Sequence, residues 1–523
     1  TGGVLSLSTG DDADAISLRS VSASATVNAG LGDDTVSVSS DAPANLGTLN
    51  SLSASLTVNG EGGTDSLLFS DLGDLLNGAG SLTGTSLTGF GTSGVTYGTF
   101  ESVGLTLGGG EDTLTVSSTI AGSTTISTGA AADTVTVQTT AGPLNLSTND
   151  GADAIRIQSL GAAATVNAGL GDDTVSVSSD APTNAGTLNG LVGALTVNGD
   201  GGNDSLLLSD AGETANGSGT LTSSMLSGFG TAGVTYGTFE SVGLTLGSGI
   251  DTLTVGSTIA GSTTIDTGAG ADVVGVTSTS GVLTLATGAG SDAVAIQSTG
   301  AALGLTTGAD ADSVLIVSTG GTTAVDTGDG ADAISIRSLG AATTVSGGSG
   351  DDTVSVSSDA PVNAGTLNGL VGALTVNGDG GNDSLLLSDA GDSGVNSGTL
   401  TSSMLSGFGT AGVTYGTFES VGLTLGSGID TLTVSSTIAG VTTIATGSGA
   451  DVVTVETTSG ILSLSTNDGA DAISIRSLGA SSTVSGGQGD DTVSVSSDAP
   501  MNAGTLNGLV GALTVNGDGG NDS

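Results

Sequence analysis

Thr267-Gly-Ala-Gly-Ala-Asp272-Val-Val-Gly-Val-Thr-Ser-Thr-Ser-Gly-Val-Leu-Thr-Leu-Ala286 holds, in 20 residues, the pattern on which the rest of the chain is built. Thr-Gly-Ala-Gly-Ala makes a turn that Asp272 closes. Val274 and Val276 then alternate with Val273 and Gly275, the period-2 signature of a strand with one buried face. A second turn follows at Thr279-Ser-Gly281, and residues 282–286 return as a second strand. Two short strands and two turns per coil predict a flattened parallel roll, with successive coils about 4.8 Å apart.

The turn recurs on a beat. Its aspartates are Asp14, Asp34, Asp65, Asp112, Asp133, Asp153, Asp173, Asp204, Asp251, Asp272, Asp292, Asp312, Asp332, Asp352, Asp383, Asp430, Asp451, Asp471, Asp491 and Asp522. The gaps run 20, 31, 47, 21, 20 and 20, then 31, 47 and 21 again. A fixed period near 20 marks a solenoid in which each repeat is one coil stacked on the last. The expected fold is all-β: an elongated right-handed parallel β-roll or β-helix solenoid with coils of about 20 residues, continuous over 1–523.

A longer repeat overlies the short one. Gly-Asp-Asp-Thr-Val-Ser-Val-Ser-Ser-Asp-Ala-Pro starts at Gly32, Gly171, Gly350 and Gly489, at separations of 139, 179 and 139 residues. It divides the chain into a partial repeat 1–33, long repeats 34–172, 173–351 and 352–490, and a partial repeat 491–523, as in a window on a longer array. The middle repeat is longer by 40 residues, or two coils, an insertion that a stack tolerates. The 31-residue steps carry a loop on Asp-Ala-Pro-x-Asn, as at Asp180 to Asn184. The 47-residue steps are expected to hold two coils. They contain all ten aromatics: Phe69 and three repeated triplets, Phe90, Tyr97, Phe100, Phe229, Tyr236, Phe239, Phe408, Tyr415 and Phe418. These rings are either a ligand platform or a plug that seals the core where coil length changes.

Composition narrows the partners. The chain has 51 acidic residues, four arginines, and no lysine, histidine or cysteine, for a formal charge of −47. Nothing here can neutralise phosphates, which excludes nucleic acid and anionic membrane surfaces as partners. No apolar run approaches a membrane span. Without cysteine there is neither a disulfide framework nor a thiolate metal site, and the set fits an exported bacterial protein. Strand-patterned apolar residues, with a mean hydropathy of +0.30, sit beside a charge that opposes collapse. Order is therefore expected to be conditional on something cationic.

The Gly-x-Gly-x-Asp turns resemble the RTX family, the hemolysin-type calcium-binding repeats of secreted bacterial proteins. The closest matches to that family's G-G-x-G-x-D-x-h-x pattern (h, apolar) are Gly347-Gly-Ser-Gly-Asp-Asp352-Thr-Val-Ser and Gly486-Gly-Gln-Gly-Asp-Asp491-Thr-Val-Ser. The resemblance implies a roll that binds Ca²⁺ between successive turns, through turn carbonyls and the Asp carboxylates of neighbouring coils. The turns that keep both glycines supply the candidate metal residues: Asp34, Asp112, Asp173, Asp251, Asp272, Asp292, Asp332, Asp352, Asp430, Asp451 and Asp491. Calcium takes six to eight oxygens. Carboxylates stacked about 4.8 Å apart repel by about 3–4 kcal/mol per pair at an effective dielectric near 20, a cost that divalent ions would reverse. The alternative is that these aspartates only cap turns through side-chain-to-backbone hydrogen bonds.

Family coils carry the motif at both turns, whereas here one turn per coil has it, so a single ion column along one edge is expected. Some turns depart from the pattern. Asp12, Asp310 and Ala131 replace the later glycine, while Asn149, Asn467, Glu61, Asp200, Asp379 and Asp518 stand at the earlier one. The long repeat also resembles the β-strand repeats of giant bacterial surface proteins, at Gly219-Thr-Leu-Thr, Gly233-Val-Thr-Tyr-Gly-Thr-Phe-Glu and Leu244-Thr-Leu-Gly-Ser-Gly-Ile-Asp251.

The expected function is structural: an extracellular, calcium-rigidified fibre or stalk segment at the bacterial cell surface that self-associates into fibres or bundles. The alternative is an adhesive module for glycans or partner proteins. An enzyme is not expected, because no His, Lys or Cys offers a base or nucleophile and the paired carboxylates recur with the repeat. Ice binding would need a regular Thr/Asn array in the turns, where Leu31, Asp33, Ser248, Ile250, Ala269 and Ala271 stand instead. The four arginines, Arg19, Arg156, Arg337 and Arg476, are read either as solvated partners of nearby Asp or as points that register neighbouring chains.

Overall fold

The computed structural model describes residues 3–523, in two compact units that meet in sequence at Gly268 and Ala269. Each unit is built from two sheets, and the chain alternates between them. In the N-terminal unit, strands Leu5–Ser8, Ala25–Leu31 and Leu56–Gly62 pair in parallel in one sheet. Ala15–Leu18, Thr35–Val38 and Ser66–Ser70 pair in the other. In the C-terminal unit, Val273–Val276, Ala293–Ile296, Ser313–Ile316 and Ala333–Ile336 stack the same way, in register at a 20-residue offset. The parallel solenoid expected from the 20-residue beat is what each unit shows. No helix of the described residues is long and apolar enough to cross a membrane.

The core is the thin space between the sheets. Val274 and Val276 are buried while Val273 is 47 % exposed, as period-2 alternation requires. Valine, leucine and isoleucine fill this space from both sides because a narrow gap suits branched aliphatics.

The 31-residue step keeps one circuit and adds a loop. At residues 40–51 the Asp41 Oδ1 accepts the N–H groups of Leu46 and Gly47, and the Asp180, Asp359 and Asp498 loops repeat the pattern. Arg337 and Arg476 donate Nε–H to the carbonyls of Ala360 and Ala499 in these loops, and Arg19 does the same to Ala42. In the repeat where the arginine lies two residues earlier, Gln158 makes the bond instead, to Ala181. Arg476 also stands 3.5 Å from Glu456. Three of the four arginines thus brace a neighbouring loop of their own chain. Arg337→Ala should cost about 1 kcal/mol, read from the denaturation midpoint, and Arg337→Gln should retain most of it. Equal losses in the two variants would remove the brace from the account.

The 47-residue step differs from expectation. After Asp65 the chain runs along Ser66–Ser70 in one sheet and crosses through residues 71–78 to the other. There Ala79–Leu82, Ser86–Gly89 and Thr92–Gly98 form an antiparallel meander. The chain then returns as Ser102–Thr106 beside Ser66–Ser70 before reaching Asp112. That is one and a half circuits, not two. The steps from Asp204 to Asp251 and from Asp383 to Asp430 repeat it.

The half circuit moves the aspartate turn to the opposite edge. Gly109 N–H reaches Asp74 O at 2.9 Å and Thr113 N–H reaches Gly78 O at 2.9 Å, so the Asp112 turn stacks on residues 71–78. The Asp65 turn is instead continued by Thr99 and Glu101 on its own edge. Long repeats 34–172 and 352–490 therefore each contain five and a half circuits, and within each unit the two copies of the long-repeat motif emerge on opposite edges.

The meander puts three strands in one sheet where an ordinary coil puts one, and the aromatics fill the resulting space. Phe90, Tyr97 and Phe100 are buried, as are their counterparts in the other two steps. Phe69 and Tyr97 have ring centroids 5.8 Å apart, and the Tyr97 hydroxyl donates to Thr83 O. The rings form a plug and present no platform.

Candidate metal centre

The turn that ends in Asp is shaped by backbone that bends the wrong way for most residues. Gly348 and Gly350 have φ of 98° and 135°, and a Cβ at Gly350 would lie 1.6 Å from Gly330 O. Close stacking of coil on coil is what demands glycine there. The substituted turns hold the same form: Asn149, Glu61, Asp200 and Asp379 have φ of 67°, 77°, 68° and 69°, and Ala131 and Asp310 have 89° and 80°. Each non-glycine residue in this region costs about 1–2 kcal/mol. Stacking supplies it, so the departures from the pattern do not break the turns.

All eleven candidate aspartates are at least 95 % buried. They form ladders in which each backbone N–H donates to Oδ1 of the aspartate one coil further on. In the N-terminal unit, Asp14 donates to Asp34 at 2.7 Å and Asp34 to Asp65 at 2.9 Å on one edge. On the other edge Asp112, Asp133, Asp153, Asp173 and Asp204 follow in turn at 2.6–2.9 Å. Asp251 lies back on the first edge, where it accepts from Gly217 N–H. In the C-terminal unit Asp272, Asp292, Asp312, Asp332, Asp352 and Asp383 make one ladder. Asp430, Asp451, Asp471, Asp491 and Asp522 make the other. The motif was expected along one edge, for a single ion column; instead each unit has aspartate ladders on both edges, because the 47-residue step is half-integral.

Oδ1 is satisfied, but Oδ2 is not. The Oδ2 atoms of Asp34, Asp65, Asp153, Asp173, Asp204, Asp332, Asp352, Asp383, Asp451, Asp471 and Asp491, among others, are buried without a hydrogen-bond partner. A buried, unpaired carboxylate oxygen is costly. Burial accordingly raises the carboxyl pKa to about 7 at Asp133 and about 6 at Asp292, Asp352 and Asp430, with neighbouring carboxylates adding to the rise. Capping alone explains Oδ1 and leaves Oδ2 unexplained. Among the described residues, no three acidic side chains surround one metal-sized point. An ion in these columns would therefore take most of its oxygens from backbone carbonyls and water, with one or two carboxylates.

Two sets of residues were not anticipated from sequence. Glu101, Glu240 and Glu419 end the ladders, accepting the N–H of Asp65, Asp204 and Asp383 on Oε2 at 2.8–2.9 Å. Their signal is legible in hindsight: Glu101-Ser-Val-Gly-Leu repeats the pattern of Asp65-Ser-Leu-Leu-Phe. Asp71, Asp210 and Asp389 are buried outside the ladders, accept the N–H of Leu49, Leu188 and Leu367, and are pushed to about 6 by burial. They tie down the Asp-Ala-Pro loops.

Neither a protein-family model nor a curated relative matches the chain. Among solved structures, it is similar to the X-ray crystal structure of a hyperactive, Ca²⁺-dependent, β-helical antifreeze protein from an Antarctic bacterium. That similarity has 17% identity and a TM-score of 0.23 and covers 66% of this chain and 79% of the other. At that score the likeness carries no argument, and the parallel β-solenoid rests on the strand pairing of each unit.

Proposed function

We propose that this chain is a structural segment of a fibre or stalk on the outside of a bacterial cell, stiffened by Ca²⁺ held along the aspartate ladders. The observation that carries the reading is the run of buried carboxylates whose Oδ2 atoms have no protein partner. The oxygen-only donor set suits a hard cation and offers no nitrogen or sulfur to a softer one. Bound calcium would supply the charge compensation that stacked carboxylates lack. The chain's own part is to hold Oδ1 by the N–H of the preceding coil, so that Oδ2 and the turn carbonyls face a common gap.

Ladders of repeated rungs spread a load over many weak bonds, as suits a fibre, and the role is not enzymatic. The buried aromatics do not favour the adhesive alternative. Lateral association into bundles belongs to the same proposal, although three of the arginines already commit Nε to their own chain, which leaves fewer donors for a neighbour.

Force–extension of the full chain, tethered at both ends, tests the proposal. In millimolar calcium the chain should resist extension and then yield in steps of whole coils. In EDTA at neutral pH it should stretch as a soft polymer at low force. Identical traces in both buffers would sink the reading.

A further inference from the structure

The ladder rungs fall into classes set by the residue five positions before the aspartate. It is Thr before Asp14, Asp133, Asp153, Asp272, Asp292, Asp312, Asp332, Asp451 and Asp471, Gly before Asp65, Asp204, Asp352, Asp383, Asp491 and Asp522, Ala before Asp34 and Asp173, and Leu before Asp112, Asp251 and Asp430.

In the Thr class the hydroxyl donates to the main-chain carbonyl of the next coil. Thr148 reaches Ala168 O at 2.7 Å, Thr307 reaches Thr327 O at 3.0 Å, Thr327 reaches Gly347 O at 2.8 Å, and Thr466 reaches Gly486 O at 2.8 Å. The same hydroxyl lies beside its own aspartate and draws the carboxyl pKa down against the rise from burial, as at Asp153, Asp312 and Asp332.

Oδ2 is without a hydrogen-bond partner in both classes; what the Gly class lacks is the hydroxyl that fills the gap and satisfies the next carbonyl. A Cβ on Gly60 would lie 2.5 Å from Asp65 Oδ2 and 2.5 Å from Thr99 O. On Gly199 it would meet Asp204 Oδ2 at 2.5 Å and Thr238 O at 2.7 Å, and on Gly347 it would meet Asp352 Oδ2 at 2.4 Å and Gly378 O at 2.9 Å. A carboxylate oxygen without a partner and a carbonyl oxygen thus converge beside a bare glycine. Two acceptors with no donor between them repel unless a cation joins them. Gly60, Gly199 and Gly347 do not have left-handed backbone, so what glycine provides at these positions is space.

We infer that the Gly rungs are the cation sites and that the Thr rungs are closed columns in which a hydroxyl occupies the ion's place. The inference rests on the calcium reading and narrows it. Of the candidates named from sequence, Asp352 and Asp491 are selected, whereas Asp272, Asp292, Asp332 and Asp451 are assigned to the closed class. Asp65, Asp204 and Asp383 enter as sites, whereas Asp522 shares the glycine but is exposed.

Equilibrium dialysis of the full chain against calcium in excess potassium chloride, followed by elemental analysis, counts the ions. The native chain should saturate at about five, one for each buried Gly rung. Thr287→Gly, Thr307→Gly and Thr327→Gly combined should raise the count by about three. Gly347→Thr with Gly378→Thr should lower it by about two. Circular dichroism in calcium checks that each variant keeps its strands, and the added-site arm stands even if the Gly→Thr pair does not fold. A native count near one ion per rung, or a count that the triple variant leaves unchanged, overturns the selection rule while calcium binding survives. Absence of any saturable binding overturns the calcium reading itself.

Discussion

Stripped of calcium at about pH 8, the chain should lose most of its far-ultraviolet β signal, and acidification to about pH 5 without calcium should restore it. The sign follows from the direction of the shifts. Burial lifts the carboxyl pKa from 3.8 to about 7 at Asp133 and to about 6 at Asp292, Asp352 and Asp430. A group whose folded pKa lies above its unfolded value adds stability that is fully present below the unfolded pKa. That stability is lost as pH rises through the folded pKa. The metal-free ladder should therefore fail between about pH 5 and 8, the reverse of ordinary acid denaturation, in which carboxylates paired in the fold resist protonation.

One pKa unit corresponds to about 1.4 kcal/mol. Solvent lies close to these turns, so a rung contributes of order 1–2 kcal/mol after screening. Several rungs together reach the 5–15 kcal/mol that holds a typical domain. Calcium held by these oxygens would compete with protons for them, so on the proposed reading its stabilising effect should fade over the same interval as pH drops. Circular dichroism across a pH series, with EDTA and with excess calcium, gives both limbs. A metal-free chain as ordered at pH 8 as at pH 5 would remove the ladders from control of folding.

The coil was legible in the sequence because everything that makes it is local. Val274 and Val276 point inward, Asp272 closes its turn, and strand pairs with strand at a 20-residue offset, all within the reach of period-2 alternation. The 47-residue step was not legible. Its path turns on Gly89, Phe90 and Gly91, with φ of 89°, 48° and 71°. A phenylalanine in left-handed backbone gives no turn signal, because bulky residues are rare there. Without that turn the meander cannot be told from two ordinary coils, and the difference between two circuits and one and a half decides which edge carries the aspartates. Glu101 escaped notice for a related reason: it takes an aspartate's place on the ladder without the Gly-x-Gly turn that marks the others. Asp133 is as buried as its neighbours although its turn carries Ala131 in place of glycine, so the ladder does not depend on that glycine. Stacking holds φ there at 89° whatever the side chain.

Phe408→Ala should cost about 3–5 kcal/mol, the range for emptying a buried aromatic site. Phe408 is 1 % exposed, and its ring packs so closely on Gly398 that a Cβ there would lie 2.2 Å from Cε2. Removing it leaves a void under the three-stranded meander, and the meander cannot collapse without breaking the pairing of Ser397–Leu400 with Thr431–Val434. An alanine at φ +49° would relieve no strain, since it too disfavours that region. In a solenoid each coil draws stability from its neighbours, so a weakened coil divides one cooperative unit into two. The Asp272–Asp383 and Asp430–Asp522 ladders lie on either side of this step, and the variant should uncouple them. Hydrogen exchange should show peptides covering 397–424 losing protection first, while both ladders keep theirs. Phe408→Leu, which refills most of the volume, should cost less than half as much. A loss under about 1 kcal/mol, or protection lost uniformly from 272 to 522, would mean that the rings merely occupy a space the backbone already holds open.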